Sequence, residues 1–226
     1  MTLSIVMPVL NEAATIEAAL EALRPYRARG VEVIVADGGS TDATADLARP
    51  LCDRVIDAPR GRAAQMNVGA GVARGDVLLF LHADTQLPAE ADRLILGGLT
   101  RTGGSWGRFD VRFDHGALLA LVALSMNWRS RTTGIATGDQ AMFMTRAAYN
   151  DAGGFPAIAL MEDVAMSARL KHIGRSLCLR ARVTTSGARW RQHGLVRTIL
   201  LMWRLRLAFY FGADPAKLAR AYGYAG

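Results

Sequence analysis

The chain contains little cysteine and no long apolar run. Of its 226 residues only Cys52 and Cys178 are cysteines, and their separation fits neither a metal site nor a redox motif, so we expect a cytoplasmic chain with reduced thiols. No apolar stretch reaches the roughly 20 residues that a membrane-spanning helix needs. The N-terminus also lacks the basic region and apolar segment of a signal peptide. These absences argue against a disulfide-rich secreted protein and against an integral membrane protein.

Lysine is scarce, although the net charge is +7. Of the 27 basic residues only Lys171 and Lys217 are lysines, and the arginines are dispersed, with a cluster near the C-terminus. Nucleic-acid-binding proteins usually collect basic residues in runs or along one stripe, so we expect no nucleic-acid partner. Arginine suits phosphate binding because its planar guanidinium contacts two oxygens at once, but an arginine-rich composition is also typical of a GC-rich genome.

Strand and helix patterns alternate through the first half of the chain. Short apolar runs predict strands, and apolar residues at helical spacing predict helices, the first of them capped by Asn11. This alternation is typical of an α/β protein with a mostly parallel, Rossmann-like sheet flanked by helices. The predicted strands cover residues 3–7, 31–36, 54–56 and 77–81, and the predicted helices cover residues 12–23, 60–72, 88–99 and a short segment ending at residue 48.

The second half changes character. Residues 106–113 alternate apolar and polar side chains and predict a half-exposed strand, whereas the apolar run 117–126 predicts a buried helix that ends near residue 128. Later patterns predict a short strand at 141–145, a turn at 151–155, a helix at 162–173 and one or two strands within 177–189. Because no linker or repeat is visible, we expect one domain over residues 1–194, followed by a basic, apolar helical extension over residues 195–226.

Two predicted strands end in acidic tips. Asp37 follows the strand at 31–36, and His82-Ala83-Asp84 follows the strand at 77–81. In open α/β sheets, ligands bind beyond the carboxyl ends of the strands, so these tips predict a nucleotide and a divalent metal at one rim. Gly39 would let the backbone approach the ligand closely. Each tip, taken alone, is also compatible with an ordinary turn or helix cap.

Other polar segments extend this site. Arg62 and Asn67 lie near a predicted helix start, where backbone N–H groups favour anions. The adjacent carboxylates of Glu162 and Asp163 are compatible with a general base or with an ordinary first helical turn. Gly138 and Asp139 precede a short strand and would line the same cleft. For Arg62 and Asn67, the alternative to anion binding is a solvated helix face.

The order of these segments carries more information than any one of them. Residues 8–12, 37–42, 61–67 and 81–84, followed by Glu162-Asp163, resemble the family-2 glycosyltransferases of the GT-A fold. The resemblance spans roughly residues 1–175. The whole chain looks closest to a bacterial subgroup labelled transferase 2, which is associated with radical-SAM and selenodomain genes.

The resemblance implies a nucleotide-diphosphate-sugar donor, with a UDP-sugar expected first and a GDP-sugar as the alternative, and Mn²⁺ or Mg²⁺ as cofactor. Pro8, Asn11 and Glu12 would line the nucleotide pocket, and Asp37 would contact the base. Arg62 would lie near the diphosphate, and Asp84 would bind the metal. The full set of expected donor-binding residues is Pro8, Asn11, Glu12, Asp37, Gly39, Arg62, Asn67, His82, Asp84, Gly138 and Asp139.

Catalysis is assigned by the same resemblance to the Glu162-Asp163 pair. Asp163 would act as the base that activates an acceptor hydroxyl for an inverting displacement at the anomeric carbon. Two positions depart from the family pattern. His82 replaces the first Asp of the usual Asp-x-Asp motif, and residues 189–193 only partly match a Gln-x-x-Arg-Trp segment. Within them His193 is either a late metal ligand or a surface histidine.

The acceptor and the wider partners are less defined by the sequence. The basic, aromatic segment 195–211 would lie at a membrane interface, pack on the domain or form a homodimer contact. The first option favours a lipid-linked acceptor at the inner face of the membrane, and a small acceptor is the alternative. The competing function is a catalytically degenerate sugar-nucleotide or membrane-binding module. A sugar-phosphate nucleotidyltransferase and a nicotinamide oxidoreductase are disfavoured, since no glycine-rich loop follows the first strand.

Overall fold

A computed structural model describes residues 1–114, 116–188, 190 and 194–223. Within them, eight strands form one sheet in the order β3-β2-β1-β4-β7-β6-β8-β5. The strands are β1 (Leu3–Val9), β2 (Glu32–Asp37), β3 (Arg54–Asp57), β4 (Val77–Phe80), β5 (Thr85–Gln86), β6 (Trp106–Phe113), β7 (Phe143–Thr145) and β8 (Leu177–Thr185). Four of the seven strand pairings are parallel. The predicted α/β class with a mostly parallel sheet is confirmed.

Helices cover both faces of this sheet. They are α1 (Ile16–Glu21), α2 (Arg24–Arg27), α3 (Thr44–Ala48), α4 (Arg62–Val72), α5 (Ala91–Thr102), α6 (Ala117–Thr133), α7 (Arg146–Asp151), α8 (Glu162–Ile173), α9 (Leu195–Tyr210) and α10 (Pro215–Tyr222), with a short 3₁₀ turn at Gly138–Gln140. None of the helices within the described ranges combines the length and hydropathy needed to cross a membrane.

Strand β1 is central because both of its faces are buried. Ile5 and Met7 pack into one hydrophobic cluster with α1, whereas Val6 packs into a second cluster with α4. The same alternation holds in its parallel neighbours β2 and β4, so the strands are apolar throughout rather than alternating with polar residues. Their carboxyl ends therefore meet at one rim, between the helices of the two layers.

The entry into the first helix differs from the prediction. Within the range 12–23, where one helix was predicted, the structure has only the six-residue α1, α2 follows from Arg24, and Asn11 does not cap α1. Asn11 adopts a left-handed conformation with φ of 54°, and its side chain accepts a hydrogen bond from the backbone of Thr41 instead. Asparagine tolerates this region better than most residues, and here the turn directs its side chain toward the β2 loop.

Strand β6 is more buried than its sequence pattern predicts. Six of its eight residues are buried, including Arg108 and Asp110, so the half-exposed strand was wrong. These two charged residues form an ion pair, and Arg131 of α6 reaches Asp110 at 2.5 Å. Because the charges neutralise one another, the alternating polar positions can lie inside the protein.

Helix α6 departs from the prediction in the opposite sense. It continues five residues beyond the predicted end at 128, and its apolar residues are not buried all round. The side chains of Leu118, Leu121, Leu124 and Trp128 are 63–68% exposed. The predicted buried helix was therefore wrong, and an apolar face remains on the surface.

The C-terminal helices form a third hydrophobic cluster. Leu205 of α9 and Leu218 of α10 pack with Leu160 and Met161, the two residues that precede α8. The predicted extension thus contacts the segment that leads to Glu162. A boundary between residues 194 and 195 stays a prediction, and His193, expected as a metal ligand or surface histidine, lies outside the described residues.

Candidate active site

The loops after β1 and β2 are tied together at the rim of the sheet. The backbone N–H of Asn11 donates to Ser40 Oγ at 2.9 Å, and Asn11 Oδ1 accepts from the Thr41 N–H at 2.8 Å. The N–H of Glu12 donates to Thr44 Oγ1 at 2.7 Å. Residues from both loops, expected to line the nucleotide pocket, are therefore held in one place.

Asp37 stands at the floor of this rim. Its side chain is buried, and its carboxylate accepts hydrogen bonds from the backbone N–H of Ser40, at 3.0 Å, and from the Ser40 hydroxyl. Gly39 has φ of 84°, a conformation that favours glycine. Pro8 is half-buried and pairs with Ala36 of β2. The carboxylate of Asp37 shapes the loop, and its contact with the base of a nucleotide stays a prediction.

Two amides of α4 have structural partners. Gln65 Nε2 donates to the carbonyl oxygens of Val9, at 2.6 Å, and Ala36, at 3.0 Å, which fastens the helix to the ends of β1 and β2. Asn67 donates to the Phe155 carbonyl at 2.8 Å and accepts from the Tyr149 hydroxyl at 2.7 Å. The amide of Asn67 thus holds the loop before α8, and a role in donor binding stays a prediction.

Arg62 connects this rim to the predicted catalytic pair. Its Nη1 lies 3.2 Å from Oε1 of Glu162, which is only 2% exposed. The pKa of Glu162 is raised, chiefly by burial. The charge of Arg62 lowers it and that of Asp163 raises it, but burial outweighs Arg62. Burial disfavours the charged form of a carboxyl group, so Glu162 gives up its proton less readily than an exposed glutamic acid does.

Asp163 is positioned by backbone hydrogen bonds in the first turn of α8. Its Oδ2 accepts from the N–H of Gly138 at 2.7 Å, and its Oδ1 accepts from the N–H of Val164 at 2.7 Å. The left-handed conformation of Met161, with φ of 69°, turns the chain into this helix. These two donors fix the orientation of the Asp163 carboxylate, and its role as a general base stays a prediction.

His82 and Asp139 lie beside the same helix N-terminus. His82 Nδ1 is 3.8 Å from Asp139 Oδ1, and a Cβ built on Gly138 would lie 2.4 Å from the imidazole ring. Burial alone would raise the pKa of Asp139, but His82, Arg62 and Arg206 outweigh it and lower that pKa. His82, Gly138, Glu162 and Asp163 line one pocket, whose apolar lining is Met66, Phe80, Met142 and Phe155.

Asp84 is separate from this pocket. It is exposed at the turn after β4, and Thr85 Oγ1 donates to its Oδ1 at 3.1 Å. Across the described ranges no three His, Cys, Asp or Glu residues form a metal-binding group. Mg²⁺ bound to nucleotides commonly uses one or two carboxylates, substrate phosphates and water, so an exposed single carboxylate has suitable donor chemistry.

Two arginines near the site were not predicted. Arg129, at the end of α6, and Arg206, on α9, are close enough for their charges to interact with each other. The charge of Arg129 also interacts with that of Asp163, and the charge of Arg206 interacts with that of Asp139. Each has another arginine two residues away, Arg131 and Arg204, and this local pattern does not reveal that Arg129 and Arg206 are close in space.

Comparison with protein families and curated proteins gives partial matches. The model of the family described as Glycosyl transferase family 2 matches residues 4–152. A PGL/p-HBAD biosynthesis glycosyltransferase of Mycobacterium bovis (strain BCG / Pasteur 1173P2) is 41% identical over 98 residues, 40% of this chain and 38% of that protein. The succinoglycan biosynthesis protein ExoA of Rhizobium meliloti is 54% identical over 104 residues, 40% of this chain and 31% of that protein. The match spans less than half the length of these relatives.

Solved structures match over a larger share of the chain. The mannosyltransferase PcManGT from Pyrobaculum calidifontis, in complex with GDP-Man and Mn²⁺, has a TM-score of 0.66 at 20% identity and covers 98% of this chain and 69% of its own. TarS of S. aureus, in complex with UDP, has a TM-score of 0.69 at 19% identity and covers 82% of this chain and 60% of its own. At these identities the likeness shows the fold alone.

Proposed function

Because the chain belongs to glycosyl transferase family 2, we propose that it is a metal-dependent, inverting enzyme that moves a sugar from a nucleoside diphosphate to an acceptor hydroxyl. The UDP-sugars are the first donors to test, and the GDP-sugars are the second. Single relatives support both choices, since TarS was solved with UDP and PcManGT with GDP-Man.

One observation carries the proposal. Asp163 is held by two backbone N–H groups at 2.7 Å, in a pocket that also contains His82 and Glu162 and is joined through Arg62 to the nucleotide rim. Asp163 is thus connected, through Glu162 and Arg62, to the loops at the carboxyl ends of β1 and β2. Ligands of open α/β sheets bind at such ends, which supports a donor site there.

The transfer exchanges one bond at the anomeric carbon for another. The acceptor hydroxyl oxygen forms a bond to that carbon, and the bond from carbon to the diphosphate oxygen breaks. The hydroxyl proton passes to Asp163, and the electron pair of the broken bond leaves with the nucleoside diphosphate. Attack from the face opposite the leaving group inverts the configuration.

The leaving diphosphate carries the charge that must be stabilised. Arg62, at the N-terminus of α4, supplies a positive charge and stands beside backbone N–H groups that favour anions. Asp84 would hold a divalent ion together with diphosphate oxygens, and the ion would supply further charge neutralisation. Glu162, whose Oε1 lies 3.2 Å from Nη1 of Arg62, orients that side chain.

Calorimetric titration tests the donor assignment. Purified protein is titrated with UDP, GDP and their common sugar conjugates, with and without Mn²⁺. We expect one nucleotide to bind in a metal-dependent manner in the wild type and about tenfold or more weakly in Asp84→Asn. The exposed Asp46→Asn on α3 is the control and should bind as the wild type does. Folded protein that binds none of these nucleotides would contradict the proposal.

Turnover separates an active enzyme from the degenerate module. The conjugate that binds is incubated with the protein and Mn²⁺, and released nucleoside diphosphate is measured. Slow hydrolysis of the donor by water is expected from an active enzyme even without its acceptor. Binding with no hydrolysis and no transfer would favour the module.

A further inference from the structure

Arg129 is a half-buried cation with spare hydrogen-bonding capacity. Its Nη1 donates to the Ile135 carbonyl at 3.1 Å, but its Nη2 is buried without a hydrogen-bond partner among the described residues. Burial, together with the charges of Arg206 and Arg108, lowers the pKa of Arg129 to about 10, and Asp163 offsets this only in part. A buried guanidinium donor without an acceptor is unfavourable, so the site is incomplete without another group.

Arg206 reaches the same place from α9. It is half-buried, it follows Leu205, which packs with Leu160 and Met161 just before Glu162, and its charge acts on both Arg129 and Asp139. In the portion of the chain that the structure describes, neither Arg129 nor Arg206 forms an ion pair. Two like charges repel, and an anion bound by both guanidinium groups would relieve that repulsion.

The same two helices carry apolar residues on their outer faces. Trp128 directly precedes Arg129, and Leu207 directly follows Arg206. We call eight exposed apolar side chains of α6 and α9 the outer apolar surface; each is 61–71% exposed, and they are Leu118, Leu121, Leu124, Trp128, Val196, Leu200, Trp203 and Leu207. Exposed apolar and aromatic side chains in this number are typical of contact with a partner or with lipid.

Charge distinguishes between these occupants. Neither α6 nor α9 contains an Asp or Glu, whereas α9 carries the exposed Arg197 and Arg204 among its apolar residues. In a two-fold dimer the same patch meets its own copy, so these arginines would face arginines. An anionic lipid surface instead pairs with the arginines and accommodates the apolar side chains.

We propose that the acceptor is a membrane lipid with an anionic head group, which Arg129 and Arg206 bind while the outer apolar surface rests in the lipid layer. The proposal rests on the glycosyl transfer proposed above and names the acceptor for that site. The arginines bring the negative charge of the head group to the mouth of the pocket, close to Asp163, and balance the carboxylates there. The lipid chain leaves along the outer apolar surface.

A soluble analogue tests the arginine pair. Decyl phosphate, kept below its micelle concentration, is titrated into wild type, Arg206→Gln and Arg129→Lys, with UDP and Mn²⁺ present. We expect binding to the wild type that is tenfold or more weaker in both variants, since the second keeps the charge but loses the planar fork. Arg220→Gln, exposed on α10, is the matched control. Decanol measures the contribution of the alkyl chain alone, and inorganic phosphate measures the contribution of the anion alone. Each should bind more weakly than decyl phosphate.

Vesicle flotation tests the outer apolar surface. Wild type is expected to float with vesicles of equal parts phosphatidylcholine and phosphatidylglycerol but not with phosphatidylcholine alone. The double variant Leu200→Ser/Trp203→Ser should remain in the unbound fraction, while Leu94→Ser, an exposed leucine of α5, should float as the wild type does. Both altered positions point outward, so circular dichroism should show an intact fold.

The outcomes separate this inference from the proposed function. Metal-dependent UDP or GDP binding with equal decyl phosphate binding in wild type and Arg206→Gln would overturn the inference alone. Tight binding of inorganic phosphate at the arginine pair would mean an anion site without a lipid acceptor. A wild type that does not float, but sediments as a dimer that Leu200→Ser/Trp203→Ser disrupts, would assign the outer apolar surface to a second copy.

Discussion

At the scale of single residues, Asp163 is the most direct test of the chemistry. Asp163→Asn keeps one oxygen for the backbone N–H groups of Gly138 and Val164 but cannot accept a proton. We expect donor binding within about twofold of the wild type and a loss of turnover of roughly 10²–10⁴, the usual contribution of a general base. Released nucleoside diphosphate and calorimetry measure the two quantities. The control Asp151→Asn, at the exposed end of α7, should change neither, and unchanged turnover in Asp163→Asn would remove it as the base.

Glu162 makes a prediction about stability and pH. Burial raises its pKa in the folded state, so the folded protein binds the proton more tightly than the unfolded chain. Its contribution to stability is therefore complete below the unfolded pKa of about 4.5 and is lost as the pH rises through the folded value. Between the unfolded and the folded pKa of Glu162, the free energy of unfolding should decline less with rising pH in Glu162→Gln than in the wild type. The difference is up to about 1.4 kcal/mol for each unit by which folding raises the pKa. Urea unfolding from pH 4 to 8 measures both curves, and parallel curves would show that Glu162 does not titrate differently on folding.

The residue patterns predicted individual site members better than their partners. The adjacent carboxylates of Glu162 and Asp163 suggested a general base because a helix start can be recognised locally, and the family resemblance selected Asp163. The sequence could not show that Asp163 accepts from Gly138, or that Asn67 is occupied by Tyr149 and Phe155, because these contacts join positions 25 to 88 residues apart. The roles of the individual residues in binding and catalysis stay predictions, as does the transferase 2 subgroup.

At the scale of elements, α4 holds the rim through a close approach to β1. A Cβ on Gly69 would lie 2.3 Å from Cγ1 of Val6, whereas a Cβ on Gly71 would meet nothing within 4 Å. Gly69→Ala should therefore lower the free energy of unfolding by about 1–3 kcal/mol through overpacking. Gly71→Ala in the same helix should raise it by about 0.5–1 kcal/mol, since alanine favours the helix. Chemical denaturation of both variants measures the difference, and equal effects would contradict this packing.

The elements also show where local patterns reach their limit. The boundaries of β6, α8 and α9 were predicted within one residue, because apolar periodicity and capping glycines are local. Helix α7 was missed since it has six residues, and β5 since it has two and exists through pairing with β8. Which face of α6 is buried depends on β6, where the amide of Asn127 holds the backbone of Val111. Such long-range contacts have no signature in an apolar helix sequence.

At the scale of the whole molecule, residues from distant parts of the chain, from Met66 to Asp163, line one pocket. The proposed nucleotide rim comes from the first 70 residues, and the proposed base from α8. The fold and the enzyme family were predicted from the order of the motifs, and both are confirmed by the family match and the structural neighbours. The position of α9 beside that pocket was not predictable, because it rests on Leu205 packing with Leu160 and Met161.

This arrangement predicts that the C-terminal helices support transfer but not donor binding. Leu205 is 1% exposed and packs with the two residues that precede Glu162, so Leu205→Ala leaves a cavity beneath the catalytic turn. The loss of stability should be about 2–5 kcal/mol, and Leu20→Ala, equally buried between α1 and the sheet, should cost a similar amount. At a temperature where both variants are folded, Leu205→Ala should lower donor hydrolysis about tenfold or more while its affinity for the nucleotide is unchanged, since a misplaced base mainly affects turnover. Leu20→Ala should keep its hydrolysis rate at saturating donor. If both variants lose hydrolysis to the same degree, the effect reflects general destabilisation, and α9 has no specific part in positioning Asp163.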